Sequence, residues 1–281
     1  MIRQIAPESL VDALGAPRDA VNAQIESALA RAQPNLIVSW FWTRLLPASW
    51  LNAAALGGIG VHPSLLPRHR GPNPYFWSID SGDAEAGVTL HTLAPEYDTG
   101  AILLRRAIPV GERNSWQLAR ALDRPSLALL REGVGRFARS HPPTPTVQDE
   151  QAATWAPEPT GRELGVDWSW PTARVLRRIR AISPVPGLAV EVAELRFVVT
   201  RAKPAAKFVR ALEPGEAAVI GEPGTLVIRT GDGAIAVERA LLDDSDEAEP
   251  GEDDPNAEPS ELDGHALAEA VALRVGRAIC P

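Results

Sequence analysis

Residues 62–74 constrain the fold of this chain more than any other segment. They read His-Pro-Ser-Leu-Leu-Pro-Arg-His-Arg-Gly-Pro-Asn-Pro, and the prolines lack the backbone N–H that a helix interior or a central strand needs. An irregular loop is therefore predicted, directly after the short apolar run of residues 58–61. Open α/β sheets bind ligands at the carboxyl ends of their strands, so we expect a functional site in this loop.

The segments before the loop indicate a βαβ unit. Residues 36–41 form a nearly continuous apolar run, typical of a strand buried on both faces of a parallel sheet. A helical stretch over residues 47–56 connects this run to the next one, which predicts an α/β fold. The remaining predicted elements are helices at 19–30 and 75–81, strands at 87–93 and 101–110, and a long helix at 115–140 that Pro125 kinks or splits.

Composition divides the chain into two domains. Residues 1–140 carry the α/β pattern, and residues 141–165 form a linker rich in Pro, Thr, Gln and Glu. Residues 166–281 begin with an amphipathic helix and continue with short strands separated by turns, which is typical of a small β-barrel. Within them, the acidic residues 243–261 are predicted to be a solvated loop and residues 262–277 a last helix.

Charge and cysteine content narrow the classes of function. The formal net charge of −8 argues against general nucleic-acid binding, because phosphate affinity comes from clustered Lys and Arg. The lone cysteine, Cys280, allows no intramolecular disulfide and no Cys-based metal site. No apolar run approaches the roughly 20 residues that a membrane helix needs. We therefore expect a cytoplasmic protein with no membrane partner and no metal.

His62 and Asp98 are the main candidates for chemistry. His62 opens the loop at the end of a predicted strand, and Asp98 lies in the turn after the next strand, where Gly100 allows unusual backbone angles. An Asp beside a His fixes the tautomer of the imidazole and makes it a better base near neutral pH. In the structural alternative, His62 only pins the loop and Asp98 only caps a turn.

Several motifs resemble those of the formyltransferases that use 10-formyltetrahydrofolate. Residues 60–74, Gly-Val-His-Pro-Ser-Leu-Leu-Pro-Arg-His-Arg-Gly-Pro-Asn-Pro, look like the family's signature. Residues 82–91 and the Asp-Thr-Gly at 98–100 continue the match in register. The Val-Asp-Trp at 166–168 and residues 180–186 resemble the bridge into the small C-terminal barrel of methionyl-tRNA formyltransferase.

The resemblance runs from about Pro34 to the end of the chain. It implies an incomplete Rossmann-like formyltransferase domain followed by a small, OB-like C-terminal β-barrel. We expect the family's opening strands to be missing or replaced, because no apolar strand-like run lies among the 33 residues before Pro34. In the tRNA enzyme that portion carries an insertion that grips the acceptor stem, so we do not expect tRNA as substrate. The sheet edge left exposed would need a cover, either a homodimer or a partner chain.

The resemblance also implies the chemistry. In the family an Asn donates to the developing oxyanion, a His moves protons and an Asp supports the His. These positions are Gly60, His62 and Asp98 in this sequence, so the Asn is missing. Losing one such donor typically costs about 3–4 kcal/mol of transition-state stabilisation. Asn73 and His69 of the same loop are candidate substitutes, and Gly60 is expected to open space beside His62 for a different substrate group.

The family's pterin pocket maps onto two segments that are present here. The first contains Trp40, Phe41 and Trp42, bulkier than the family pattern, so that stacking on a pterin and filling the pocket are both open interpretations. The second is the loop before Asp98. The candidate contacts to 10-formyltetrahydrofolate are Trp40, Phe41, Trp42, Ser64, Leu65, Leu66, Pro95, Glu96 and Tyr97.

Weaker candidates lie nearby. His91, on a strand, is interpreted first as a structural histidine, although family members often carry His there. The Arg68, His69 and Arg70 trio is either an anion-binding group or part of a solvated loop.

The sequence leaves three alternative hypotheses for the function. The first is transfer of a formyl group from 10-formyltetrahydrofolate to an amine of a small molecule, with His62 as general base and Asp98 as its partner. The second is a family member with changed chemistry, such as a formyl-folate hydrolase or an enzyme of secondary metabolism. The third is a catalytically silent binding or partner subunit.

Overall fold

The computed structural model of the protein describes residues 18–40, 42, 45–242 and 261–279. The chain forms two compact units. The first comprises the residues up to Pro74 together with Glu85–Pro109 and Arg120–Pro157, and the second comprises Tyr75–Ala84, Val110–Ala119 and the residues from Glu158 onward.

The described residues form six α-helices and ten strands. The helices are α1 (Arg18–Ala32), α2 (Ala48–Asn52), α3 (Pro74–Asp80), α4 (Ser115–Ala138), α5 (Thr172–Ile182) and α6 (Gly264–Ile279). The strands are β1 (Ile37–Ser39), β2 (Gly58–His62), β3 (Glu85–Thr92), β4 (Ile102–Pro109), β5 (Leu188–Val192), β6 (Leu195–Pro204), β7 (Ala217–Ile220), β8 (Thr225–Arg229), β9 (Ala234–Leu242) and β10 (Glu261–Asp263).

The first unit contains a four-stranded sheet in the order β1-β2-β3-β4. Strands β1 and β2 are parallel with α2 between them, which confirms the predicted βαβ unit. The next two pairings, β2 with β3 and β3 with β4, are antiparallel. Strand β3 is almost wholly buried, and Gly133 of α4 allows the helix to approach it, because a β-carbon there would lie 2.4 Å from Leu90 Cδ2.

Helix α4 runs unbroken through Pro125. Of the two predicted effects of this proline, a kink or a split, the split is therefore wrong and the kink stays a prediction. The loop predicted over residues 62–74 contains neither helix nor strand between His62 and Pro74. Residues 243–260 of the predicted acidic loop lie outside the described residues, and so does Cys280. The last residue of that predicted loop, Glu261, is the first residue of β10.

The second unit contains an antiparallel sheet in the order β5-β6-β9-β8-β7, with β10 also paired to β9. Register shifts between β6 and β9 near Arg201 curl this sheet, because bulges increase the local twist. Helix α5 buries Val175, Ile179 and Ile182, and α6 buries Leu267 and Val271. The arrangement confirms a small C-terminal barrel-type domain of predominantly β structure.

Candidate active site

His62 is the last residue of β2, and only 6% of its surface is exposed. Its Nε2 lies 2.8 Å from the carbonyl oxygen of His69, farther along the same loop. A carbonyl can only accept, so Nε2 carries a hydrogen and donates it. The other nitrogen, Nδ1, lies 3.4 Å from Oδ1 of Asp98. The loop thus fixes the tautomer and turns Nδ1 towards the carboxylate.

Asp98 is held in an unusual conformation. Its φ of 57° lies in the left-handed region, which residues other than glycine seldom adopt. Its Oδ2 accepts a hydrogen bond of 2.9 Å from the backbone N–H of Gly71. Oδ1 is left facing His62, so the two predicted catalytic side chains do meet.

The route by which they meet differs from the one expected. The sequence places His62 and Asp98 after successive predicted strands, which would bring them together directly only if both strands ended at the same edge of the sheet. Strand β3 is antiparallel to β2, with Thr89 paired to His62 and Thr92 paired to Ile59. The chain after β3 therefore has to return along the sheet to bring Asp98 to His62.

Gly100 serves a different purpose from the one predicted. Asp98 itself takes the left-handed backbone angle, and Gly100 is absent from the residues with positive φ. A β-carbon at Gly100 would lie 1.6 Å from the carbonyl oxygen of Thr92. The glycine is needed because the turn packs directly against the strand backbone.

His91 is the third titratable side chain of the site. Its Nδ1 lies 2.8 Å from the carbonyl oxygen of Thr92, and its Nε2 lies 3.9 Å from Oδ1 of Asp98. Burial lowers the pKa of His91 and a positive charge on His62 lowers it further, whereas Asp98 and the Thr92 carbonyl oppose the shift. His91 is therefore kept neutral, with Nδ1–H donating and the bare Nε2 directed to the site.

Leu93 fills the space beside Gly60. A β-carbon at position 60 would lie 2.9 Å from Leu93 Cδ2 and 3.6 Å from His91 Nε2. The expected opening for an additional substrate group is therefore absent on this side of the strand. Of the candidate substitutes for Asn, Asn73 donates its backbone N–H to Ala156, and His69 contributes its carbonyl to His62.

Two indole groups lie close together, that of Trp42 after β1 and that of Trp50 in α2. Trp40 is 42% exposed, and Phe41 lies outside the described residues. The buried Nε1 atoms of Trp42 and Trp50 have no hydrogen-bond partner among the described residues. Their rings lie 6.3 Å apart at an angle of 57°. Trp50, which is 3% exposed, was not identified from the sequence.

Most predicted cofactor contacts within the loop instead anchor it. Ser64 Oγ donates to the Arg68 carbonyl, and the backbone of Leu66 is bonded to Thr89 Oγ1 and to Arg105. Leu65 packs against Gly87. In contrast, the residues before Asp98 are exposed to solvent, namely Pro95, Glu96 and Tyr97.

A polar cluster of buried Arg70, buried Gln148 and exposed Glu150 joins the loop to the segment that the sequence assigned to a linker. Arg70 donates to Gln148 through Nε and Nη2, and to both carboxylate oxygens of Glu150. The hydrogen bond to Glu150 is the main reason that the pKa of Arg70 is raised. Arg70 is therefore engaged within the protein, which counts against the anion-binding interpretation of the Arg68–His69–Arg70 trio.

Trp155 is a further residue that sequence reasoning missed. It is 54% exposed and contacts Gly71, where a β-carbon would lie 3.2 Å from its ring. The only signal in the sequence was an apolar Trp-Ala pair within an otherwise polar stretch.

Fold and site together define a two-unit α/β protein in which a buried His at the end of a strand faces a partly exposed Asp. The sequence profile described as "Formyl transferase" matches residues 3–124, and that described as "Formyl transferase, C-terminal domain" matches residues 161–252. The chain belongs to the formyltransferase family.

The curated relatives include methionyl-tRNA formyltransferases. That of Acidiphilium cryptum is 38% identical over 199 residues, which cover 68% of this chain and 60% of the relative. That of Anaeromyxobacter dehalogenans strain 2CP-C is 34% identical over 229 residues, covering 81% of this chain and 73% of the relative.

Solved structures share the fold at lower identity. HypX from Aquifex aeolicus in complex with tetrahydrofolic acid has a TM-score of 0.61 and 24% identity, covering 86% of this chain and 39% of HypX. The N-formyltransferase of Helicobacter canadensis, bound to folinic acid and dTDP-3-aminofucose, has a TM-score of 0.57 and 16% identity, with 71% and 72% covered. No helix in the described ranges has the length and apolar character that crossing a membrane requires.

Proposed function

We propose that this protein transfers a formyl group from 10-formyltetrahydrofolate to an amine of a small molecule. The observation that carries the proposal is the contact of 3.4 Å between His62 Nδ1 and Asp98 Oδ1, in a chain of the formyltransferase family. A His paired with a carboxylate is an arrangement suited to acid–base catalysis at an attacking amine.

His62 is the general base. With Nε2–H donating to His69, Nδ1 is the nitrogen that accepts a proton, and the cation so formed is stabilised by the adjacent Asp98 carboxylate. Both histidine side chains are shielded from bulk water, since His62 is 6% exposed and His91 is 5% exposed. Neutral His91 adds no competing positive charge beside His62.

The residues present fit a folate. The substrate would supply the formyl carbon, and its pterin ring carries hydrogen-bond acceptors. Trp42 and Trp50 hold buried N–H groups without a partner among the described residues, and such donors are costly unless a ligand uses them. Exposed Tyr97 and Trp40 offer flat apolar faces. Folate compounds are bound in the HypX and Helicobacter canadensis structures, which supports the same donor here.

The nature of the acceptor is part of the proposal. The net charge of −8 favours a small molecule over tRNA, although the curated relatives named above are methionyl-tRNA formyltransferases. The Helicobacter canadensis enzyme, with dTDP-3-aminofucose bound, is a precedent within the fold for an amino sugar.

A second candidate is changed chemistry on the same scaffold. Gly60 offers no side-chain donor, and Leu93 occupies the adjoining space, so the oxyanion lacks the support that the family's Asn would give. This observation favours hydrolysis of the formyl-folate or a role as a silent binding subunit.

Strand β1 is an edge of the four-stranded sheet among the described residues, and a second copy or a partner chain along it is proposed as its cover.

One assay separates these functions. The purified protein is incubated with 10-formyltetrahydrofolate and, in separate arms, dTDP-amino sugars, methionyl-tRNA or buffer alone. Formylated amino sugar supports the proposal, formylated tRNA replaces its acceptor, and formate released in buffer alone supports hydrolysis.

The His62→Ala variant tests the mechanism in whichever arm is active. We expect loss of activity, whereas His141→Ala, at an exposed position, should retain it. Undiminished turnover in His62→Ala would remove His62 from the mechanism. No turnover in any arm, together with no binding of folinic acid at millimolar concentration, would favour the silent subunit.

A further inference from the structure

Gln148 makes four hydrogen bonds that link the turn at Asp98 to Arg70 in the loop over residues 62–74, here called the catalytic loop. Its amide nitrogen donates to the carbonyl oxygens of Asp98 and Gly100, both at 2.7 Å. Its Oε1 accepts from Nε and Nη2 of Arg70, at 3.1 and 2.8 Å. Carbonyl groups only accept and a guanidinium only donates, so the partners fix which end of the amide is which.

Arg70 is in turn locked by Glu150. The two carboxylate oxygens receive Nη1 and Nη2 at 2.9 and 2.7 Å, a bidentate pair that orients the guanidinium plane. Arg70 and Gln148 are 7% and 5% exposed. A buried network in which every group of the amide is used has a single well-defined arrangement.

Asp98 is therefore hydrogen-bonded through both its backbone carbonyl and its carboxylate. Gln148 holds its carbonyl, and the N–H of Gly71, the residue after Arg70, holds Oδ2 of its carboxylate. Left-handed backbone angles at a residue other than glycine are strained and persist only where the surroundings enforce them. The network supplies that enforcement, and it leaves Oδ1 facing His62.

We infer that Gln148, oriented by Arg70 and Glu150, is a positioning residue that sets the Asp98 carboxylate against His62. Its role in turnover rests on the proposed function, whereas its effect on the His62–Asp98 contact does not. The essential part is the amide nitrogen, because only that group reaches the Asp98 turn.

The test is a matched set of three variants. Gln148→Glu keeps the size of the side chain and the bonds from Arg70, but it replaces the donor that faces two carbonyls with an acceptor. Gln148→Leu removes both sets of bonds. Glu150→Gln weakens the hold on Arg70 and leaves the amide of Gln148 in place.

Two readouts are recorded at a fixed neutral pH, after thermal unfolding has shown that each variant is folded. The first is the ¹⁵N chemical shift of the His62 imidazole, which reports the environment of Nδ1 whether or not a substrate is known. The second is kcat and KM for formyl transfer.

We expect Gln148→Glu and Gln148→Leu to move the His62 signals alike and to lower kcat by about tenfold or more with little change in KM, because a displaced catalytic group lowers the rate of the step itself. Glu150→Gln should change both readouts much less. Wild-type His62 signals in Gln148→Glu would overturn the inference. If the wild-type protein transfers no formyl group, the proposed function fails while the ¹⁵N comparison still decides the role of Gln148.

Discussion

Leu93 occupies the space into which a side chain at Gly60 would project. A β-carbon at position 60 would lie 2.9 Å from Leu93 Cδ2, closer than such atoms pack in proteins. The missing Asn of the family and the leucine beside it are therefore structurally coupled, because a side chain at position 60 fits only if the end of Leu93 shifts.

This relationship predicts the outcome of restoring the oxyanion donor. Gly60→Asn alone should give little gain in formyl transfer and cost about 1–3 kcal/mol of stability, because it overpacks the strand. The double variant Gly60→Asn with Leu93→Ala should raise kcat at least tenfold, since one such donor is typically worth about 10²–10³ in rate. Leu93→Ala alone is the control. An equal gain from the single Gly60→Asn change would contradict the blocking role of Leu93.

His91 makes the stability depend on pH in a defined direction. Its pKa in the folded protein is lowered below the ordinary value of 6.5, mainly by burial, so at pH values between the two the unfolded chain binds more protons. The free energy of unfolding therefore falls as the pH decreases through this window, by up to about 1.4 kcal/mol per pH unit. His91→Gln should reduce that fall in urea titrations between about pH 7.5 and about pH 5.5.

The control for this titration is His141→Gln, since His141 is an exposed histidine of the same unit. It should retain the pH dependence of the wild-type protein. If His91→Gln and His141→Gln titrate alike, the burial of His91 has no part in the acid sensitivity.

His62 and Asp98 could be predicted because the sequence motifs that identify each residue lie directly around it. The Pro-rich loop fixes where β2 ends, and the motifs around His62 and Asp98 identify both residues without knowledge of the sheet. The direction of β3 could not be predicted in the same way. An apolar run that is buried on both faces has the same pattern in a parallel and in an antiparallel strand.

The supporting residues were missed because their roles depend on distant partners. Gln148 and Trp155 lie in a polar, Pro-containing stretch that has no periodicity, and such composition indicates a linker. Their partners Asp98 and Gly71 are far away in the sequence. The hydrogen bond between Gln148 and Asp98, for example, joins residues that are 50 positions apart. Composition cannot report a contact of that kind. The boundaries proposed for the linker stay a prediction.

Gly100 should tolerate no side chain. Gly100→Ala would place a methyl group 1.6 Å from the Thr92 carbonyl oxygen, which belongs to a strand backbone and has little freedom to move. We expect a loss of about 2 kcal/mol or more in the free energy of unfolding, measured in urea. Gly165→Ala is the comparison, because its nearest neighbour would be 4.0 Å away. Similar stability of the two variants would show that the turn can move off the strand.

Trp155 is expected to contribute to substrate affinity. Its half-exposed ring lies against Gly71, whose N–H binds the Asp98 carboxylate, so the indole face borders the catalytic loop. Trp155→Ala should raise the KM of one substrate by about threefold to tenfold, with kcat nearly unchanged, while Trp155→Phe retains an aromatic face and most of the affinity. Unchanged KM values for both substrates in Trp155→Ala would exclude this role.

The indole N–H groups of Trp42 and Trp50, which have no hydrogen-bond partner among the described residues, predict a specific loss of folate binding when either group is removed. If a folate accepts these N–H groups, Trp42→Phe and Trp50→Phe should each weaken folinic acid binding by about fivefold to tenfold, the value of one hydrogen bond. Removing the buried donor also removes its desolvation penalty, which should offset part of the cost of the cavity that the smaller phenyl ring leaves in the free protein. Calorimetric titration gives the affinity, and thermal unfolding without ligand gives the stability. Trp116→Phe, at a position 62% exposed, is the control and should bind folinic acid normally. Normal affinity in both test variants would mean that these indoles only fill space beside β1.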